Sequence, residues 1–308
     1  MAQKASLAGD YPPTPPETLL RKLKLGVRRL VTDQFPGDYR SIFAGVGTEL
    51  VQIRPYEPGD DVRLIDPSAT ARRGAPHIRV HVAEKALTTW IALDVSPSMT
   101  FGTADRRKAD VAEGIALALT HLSARGGNTI GVATFGDRNP QTLLSRGGRD
   151  GRYGLLQLLR QRPDPEELGA TSPAAVMTRI ARLARRRALV VVASDFRGPR
   201  NWRGAMLRLA SRHEMIAIEV RDPREQELPD VGELFLIDPE TGRQLRVDTS
   251  DRRLRERFAA AAAAERAELA AEFRSLGVDH LVLSTKGDWL RVLASFLRKR
   301  VIMQGGRR

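Results

Sequence analysis

From Leu87 onward, apolar runs of strand length alternate with segments of helix length, and this alternation limits the possible folds more than any other feature of the chain. The runs at residues 88–93, 129–135, 188–193 and 215–220 are mostly apolar or β-branched, which suits strands covered on both faces, and the run at 278–284 closes the sheet. Between them the spacing predicts helices over 106–125 (strongly amphipathic, ending at Gly126-Gly127), 151–161, 171–186, 202–212, 250–275 (ending at Gly277) and 289–298. Residues 141–144 are expected to pair with 129–135 after a turn at 136–140. Residues 233–238 and 243–248 read as a hairpin insertion around Pro239-Glu240-Thr241-Gly242. The expected class is α/β: a doubly wound, mostly parallel sheet with helices on both faces and right-handed crossovers.

The first of these strands breaks into Asp94-Val95-Ser96-Pro97-Ser98, three short oxygen-bearing side chains at alternate positions. Spaced by two in an extended or looping backbone, they can converge just past the strand end. A carboxylate and two hydroxyls are hard ligands, suited to Mg²⁺ rather than zinc. Turn and helix-cap roles are the ordinary use of the same residues. Ligands in open α/β sheets bind beyond the carboxyl ends of the strands, where the strand order reverses. Asp195 immediately follows the strand at 188–193. Thr171 stands in Gly169-Ala170-Thr171-Ser172-Pro173, a cap with proline early in the next helix. Asp94, Ser96, Ser98, Thr171 and Asp195 are therefore the candidate site, expected to be shallow, solvent-open and near the surface.

Upstream, residues 1–16 end in a Pro-rich tail, and residues 17–32 carry leucines and valines at helical spacing. Residues 33–47 read as a Gly-rich loop. In the stretch 49–84, Pro58-Gly59-Asp60-Asp61 is a turn signal and 77–82 alternates as a strand. Its Arg and Asp residues are expected to form a buried ion-pair lattice. His77 and His81 share a strand face about 13 Å apart, too far to bind one metal, so packing or surface roles are expected. The expected organisation is a tail (1–16), an N-terminal helix and β/loop segment (17–86), the α/β domain (87–300) and a basic tail (301–308).

Cysteine is absent, so disulfides, thiolate metal sites and Cys catalysis are excluded. The N-terminal residues have no apolar core fit for a signal peptide, and no run approaches the roughly 18 apolar residues of a membrane helix. A cytoplasmic location is the expectation. The formal net charge of +13 is the balance of 50 basic residues, 43 Arg and 7 Lys, against 37 Asp and Glu; the basic residues are spread along the chain, with clusters at Arg185-Arg186-Arg187, at 252–257 and at 298–308. Aromatic residues, 5% of the chain, do not interleave with these clusters, so no base-stacking platform is visible and specific nucleic-acid binding is not expected.

The order Asp94-x-Ser96-x-Ser98, then Thr171, then Asp195 resembles the metal-ion-dependent adhesion site of von Willebrand factor type A domains. The run Arg54-Pro55-Tyr56-Glu57-Pro58-Gly59-Asp60-Asp61-Val62-Arg63-Leu64-Ile65-Asp66, followed by Thr70-Ala71-Arg72, resembles the bacterial family called domain of unknown function 58. The likeness covers roughly residues 40–284. This chain has Pro67 where that family usually has Trp, a reduced acidic pair at Ala83-Glu84, and none of the N-terminal membrane helices common in it. The resemblance implies a von Willebrand A-type sheet binding Mg²⁺ (or Mn²⁺ or Ca²⁺) through Asp94, Ser96, Ser98, Thr171 and Asp195. A partner protein's Asp or Glu would fill the remaining coordination position. It further implies an adaptor, not an enzyme, acting with a MoxR-type AAA+ ATPase in assembly or maturation of a protein complex.

Two other functions compete. A Mg²⁺-dependent phosphoester hydrolase of the aspartyl-nucleophile type would need a second carboxylate at position 96, which is Ser. Neither a Gly-x-Ser-x-Gly elbow nor a Gly-Lys-Ser/Thr phosphate loop occurs. A nucleic-acid-binding role is supported by charge alone.

Overall fold

A computed structural model describes residues 51–81, 88–125, 128–161, 172–237 and 243–305. The expected tail, the helix at 17–32 and the loop at 33–47 lie outside these residues, as do Gly126, Gly127 and Thr171.

The first unit pairs β1 (Val51–Pro55) antiparallel with β2 (His77–His81), with α1 (Pro67–Arg73) between them. The short helix follows from its caps: the Asp66 carboxylate accepts from Ala69 N at 3.0 Å, Pro67 opens the first turn, and Gly74 closes it in the left-handed region. Arg54 grips Asp60 with two bonds, of 2.8 and 2.7 Å. Arg54 also stands 3.9 Å from Glu57, these pairs are partly exposed, and Asp61 and Asp66 serve as turn caps, so among the described residues the pairs shown differ from the buried ion-pair lattice expected from sequence. His77 is buried, its Nδ1 2.7 Å from Ala75 O, a packing role as expected.

The main sheet has six strands in the order β10-β7-β6-β3-β4-β5: β3 (Thr88–Asp94), β4 (Thr129–Phe135), β5 (Thr142–Gly147), β6 (Leu189–Ser194), β7 (Glu214–Arg221) and β10 (Asp279–Ser284). Every pairing is parallel except β4 with β5. The helices are α2 (Lys108–Arg125), α3 (Gly148–Arg160), α4 (Pro173–Leu183), α5 (Arg203–Ala210), α6 (Arg252–Ser275) and α7 (Trp289–Gly305). The hairpin of β8 (Glu233–Ile237) and β9 (Gln244–Asp248) stands outside the sheet as expected.

Successive strand residues feed opposite cores because side chains alternate across a strand. Ile91, Leu93, Val191 and Ile216 pack with α2, α3 and α7. Trp90, Ala92, Val192 and Ala217 pack with α4, α5 and the end of α6. Both faces are covered, which is why these runs read as continuously apolar.

α2 departs from the amphipathic expectation. Residues 110–120 are buried without a break, so this helix has no solvent face in its middle. Gly114 lets α7 approach: a Cβ there would lie 2.6 Å from the Trp289 ring. α4 is shorter than the segment expected at 171–186. Ser172 caps it, its hydroxyl accepting from Ala174 N at 3.2 Å, with Pro173 in the first turn.

Candidate functional site

β3 lies between β4 and β6, so the chain leaves it toward one neighbour and later returns to the other. A crevice therefore opens beyond its carboxyl end. Asp94 is the last residue of β3. Its Oδ1 accepts from Ser96 N at 2.9 Å, which folds the next residues back over the strand end. The Ser96 and Ser98 hydroxyls converge to 3.1 Å. Gly136, just past β4, makes this turn possible: its φ is +91°, and a Cβ there would lie 2.6 Å from Ser96 N.

The second half of the site is built at the end of β6. Ser194 Oγ donates to Asp94 Oδ2 and accepts from Phe196 N at 2.9 Å, tying the two strand ends together. Phe196 has φ +53°, and it is the one non-glycine residue with positive φ among those described. Its ring makes edge contacts with Trp202 and Phe273, with centroids 5.7 and 4.9 Å away, and this packing holds the strained turn. The turn directs Arg197 N at Asp195 Oδ1, 3.0 Å away, while Ser98 hydrogen-bonds the same carboxylate. The structure thus brings Asp94, Ser96, Ser98 and Asp195 of the candidate set into one cluster, while Thr171 lies outside the described residues.

Lys108, the first residue of α2, reaches into this cluster from below. Its ammonium donates to Asp195 Oδ2 and to Glu225 Oε1, each at 2.6 Å, and its side chain has no exposed surface. Glu225 is held by a reciprocal cap: Asp222 N donates to Glu225 Oε2 at 3.1 Å, and the Asp222 carboxylate accepts from Arg224 N at 2.9 Å. Asp222, wholly buried, also accepts from Thr103 N at 2.8 Å and Thr285 Oγ1 at 2.6 Å. It therefore fixes the segments after β3, β7 and β10 to one another. Beside Asp195 a cleft opens, lined by Arg197, Arg221, Glu225, Glu265 and Arg266 among others.

The electrostatics separate the two acids. Burial, and secondarily the negative charge of Asp195, pushes the Asp94 carboxyl up to about 7. Burial acts on Asp195 in the same sense, but the Lys108 ammonium outweighs it and holds that carboxyl below its ordinary value. Burial would lower the Lys108 ammonium, and Asp195 with Glu225 raises it instead. The cluster is therefore a pair of buried acids, one matched by an internal cation and the other carrying a charge it can barely sustain.

Asp94, Ser98 and Asp195 are each under 8% exposed and Ser96 is half-buried, so these oxygens lie deeper than the shallow, solvent-open site expected from sequence, and of the four Asp195 lines the cleft. The cause is the depth of the switch point: β3 and β6 are central strands, and the loops after them fold over their own ends. Among the described residues no group of three or more His, Cys, Asp or Glu is placed to hold a metal. The oxygens gathered here come from two carboxylates and two hydroxyls, a hard donor set. Sequence reading missed Ser194, Lys108, Asp222 and Glu225. Asp222-Pro223-Arg224-Glu225 carries a capping-box signal that could have been read, whereas the link to Lys108 has no local signature.

A family model described as protein of unknown function DUF58 matches residues 52–268. An uncharacterized protein of Mycobacterium tuberculosis strain H37Rv is 38% identical over 296 residues, 96% of this chain and 92% of the relative. The chain belongs to the DUF58 family. An uncharacterized Mycobacterium bovis protein matches this DUF58 chain to the same extent, and one from Mycobacterium avium is 41% identical over 51% of it. Among solved structures, the conserved hypothetical protein BatB from Bacteroides thetaiotaomicron aligns with a TM-score of 0.45 and 13% identity, covering 71% of this chain and all of that one. An aerotolerance-related membrane protein from Bacteroides fragilis aligns at 0.46 and 16%, with the same coverage. Among the described residues of this DUF58 chain, no helix is long and apolar enough to cross a membrane.

Proposed function

We propose that this DUF58 protein is a divalent-cation-dependent protein-interaction module rather than an enzyme. Mg²⁺, or Mn²⁺ or Ca²⁺ in its place, would be held by Asp94, Ser96 and Ser98, with Thr171 and Asp195 completing the set. The observation that carries this reading is the convergence of the Ser96 and Ser98 hydroxyls to 3.1 Å beside two buried carboxylates. The fit rests on Asp94: a carboxyl pushed up to about 7 by burial and a neighbouring acid lacks a counter-charge, and a cation supplies one. A bound cation would provide a fixed positive centre with a free coordination position.

The protein's own residues serve to hold that centre. Ser194 and Ser96 N orient the Asp94 carboxylate, and Arg197 N and Lys108 orient that of Asp195. The hydroxyls are neutral ligands, so the cation retains a demand for negative charge that an Asp or Glu of a partner protein satisfies. The family resemblance supports a MoxR-type AAA+ ATPase as that partner, with the DUF58 protein acting as adaptor in assembly or maturation of another complex. Position 96 is Ser, where a phosphoester hydrolase of the aspartyl type would carry a second acid.

The test is thermal unfolding of the full chain with EDTA and with millimolar Mg²⁺ or Mn²⁺, repeated for Asp94→Asn. With free metal about tenfold above its dissociation constant, linkage gives about 1.4 kcal/mol of added stability. A melting temperature moved by metal in the wild type and not in the variant is expected. The same melting temperature in EDTA and in either metal would overturn the reading.

A further inference from the structure

We propose that Lys108 is a resident counter-cation of the Asp94–Asp195 site and that it keeps the divalent-cation affinity of the free protein low. This inference rests on the metal-binding reading above and concerns how that site is regulated. The ammonium bridges Asp195 Oδ2 and Glu225 Oε1 at 2.6 Å each, lies 5.9 Å from the centroid of the Phe101 ring, and has no exposed surface. It is bonded directly to Asp195, so a divalent cation held by that carboxylate would meet its charge.

The ammonium cannot withdraw. It emerges from the first turn of a helix that is buried on all sides through its middle, and its second partner, Glu225, is fixed by the Asp222 cap. Asp222 in turn is held by Thr103 and Thr285, on the loops following β3 and β10. Arg197 Nε stands 3.5 Å from Glu225, so a further positive group faces the same cluster. The buried acids Asp94, Asp195 and Glu225 therefore meet Lys108 and Arg197 before any metal arrives. Even with all three acids ionised, one negative charge is left for a doubly charged ion, and repulsion from Lys108 opposes its entry. A Lys that only filled the core would leave metal affinity unaffected.

The experiment measures Mn²⁺ binding by electron paramagnetic resonance and Mg²⁺ by competition, on the full-length wild type, Lys108→Met and Glu225→Gln. Circular dichroism with and without metal accompanies each. Removing a unit charge next to the ligands should tighten Mn²⁺ binding by about tenfold or more in Lys108→Met. Glu225→Gln, which leaves the Lys108 charge less neutralised, should weaken it by about threefold or more. If Lys108→Met folds only when Mn²⁺ is present, the ion has replaced the ammonium and the proposal is supported. If it does not fold under any condition, Glu225→Gln decides: weakened binding supports the proposal and unchanged binding overturns it. Wild-type affinity retained in both variants would overturn it while leaving the metal site intact. Absence of Mn²⁺ binding in all three proteins would instead remove the metal reading itself, and this proposal with it.

Discussion

Lys108 Nζ and Asp195 Oδ2 lie 2.6 Å apart across 87 positions of sequence, in a contact with almost no solvent exposure. This pair joins the start of α2 to the end of β6, and through Glu225 it also reaches the turn after β7. It makes the candidate site part of the structural core, with consequences for substitutions there.

Asp195→Ala should destabilise the protein by about 3–5 kcal/mol, because it leaves a buried ammonium with one carboxylate in place of two. Urea unfolding followed by circular dichroism measures this. A loss under about 1 kcal/mol would mean that Lys108 is solvated or paired elsewhere.

Ser98→Ala removes a hydroxyl that touches Ser96 and Asp195 and no buried charge, so its stability cost should be about 1 kcal/mol. Mn²⁺ binding and metal-dependent capture of a partner should fall at least tenfold. Arg185→Ala, at an exposed position away from the site, should alter only the salt dependence of association. Capture that survives both EDTA and Ser98→Ala would place the docking point elsewhere.

Gly136→Ala sets a Cβ against Ser96 N while requiring φ near +91°. The expected destabilisation is about 1–3 kcal/mol. Because the displaced atoms belong to the Asp94–Ser98 turn, Mn²⁺ binding should weaken as well. Unchanged affinity would show that the turn relaxes without moving the hydroxyls.

Asp222 contributes to the acid end of the pH dependence. Burial opposes its ionised form, but hydrogen bonds from Thr103 and Thr285 outweigh this and hold the carboxyl below its ordinary value. A depressed acid contributes stability above the unfolded value of 3.8, and the contribution is lost as pH falls further through the folded value. Below about pH 4, wild-type stability should therefore drop, and Asp222→Asn should lose less over the same range. Parallel acid profiles for the two proteins would contradict the assignment.

The isolated chain should turn over neither ATP nor a generic phosphoester such as p-nitrophenyl phosphate. Position 96 supplies a hydroxyl where a second acid would be needed, and the sequence has no Gly-Lys-Ser/Thr loop. Metal-dependent hydrolysis that disappears in Asp94→Asn would make this protein an enzyme.

Much of the architecture was legible in the chain because each element carries its own signal. The run at 129–135 is mostly apolar or β-branched and forms β4 over those same residues, and Glu233–Ile237 with Gln244–Asp248 forms the expected hairpin. The spacing of Asp94, Ser96 and Ser98 placed three oxygens at one strand end, where the structure has them. Boundaries that depend on long-range packing were less legible. α7 runs on to Gly305, past the expected end at 298, and the middle of α2 is buried where an amphipathic helix was expected.

The sequence by itself determined which segments are strands and helices, that the sheet is mostly parallel, and which acids and hydroxyls stand at strand ends. Those properties follow from periodicity and spacing within a few residues. Only the tertiary structure decided that Asp195 is buried and matched by Lys108, that Ser194 holds Asp94, and that Asp222 fixes three loops together. These are pairings of charges and hydrogen bonds between residues roughly sixty to a hundred and twenty positions apart. Such a pairing leaves no local pattern, because its energy depends on a distance that only the packed sheet sets.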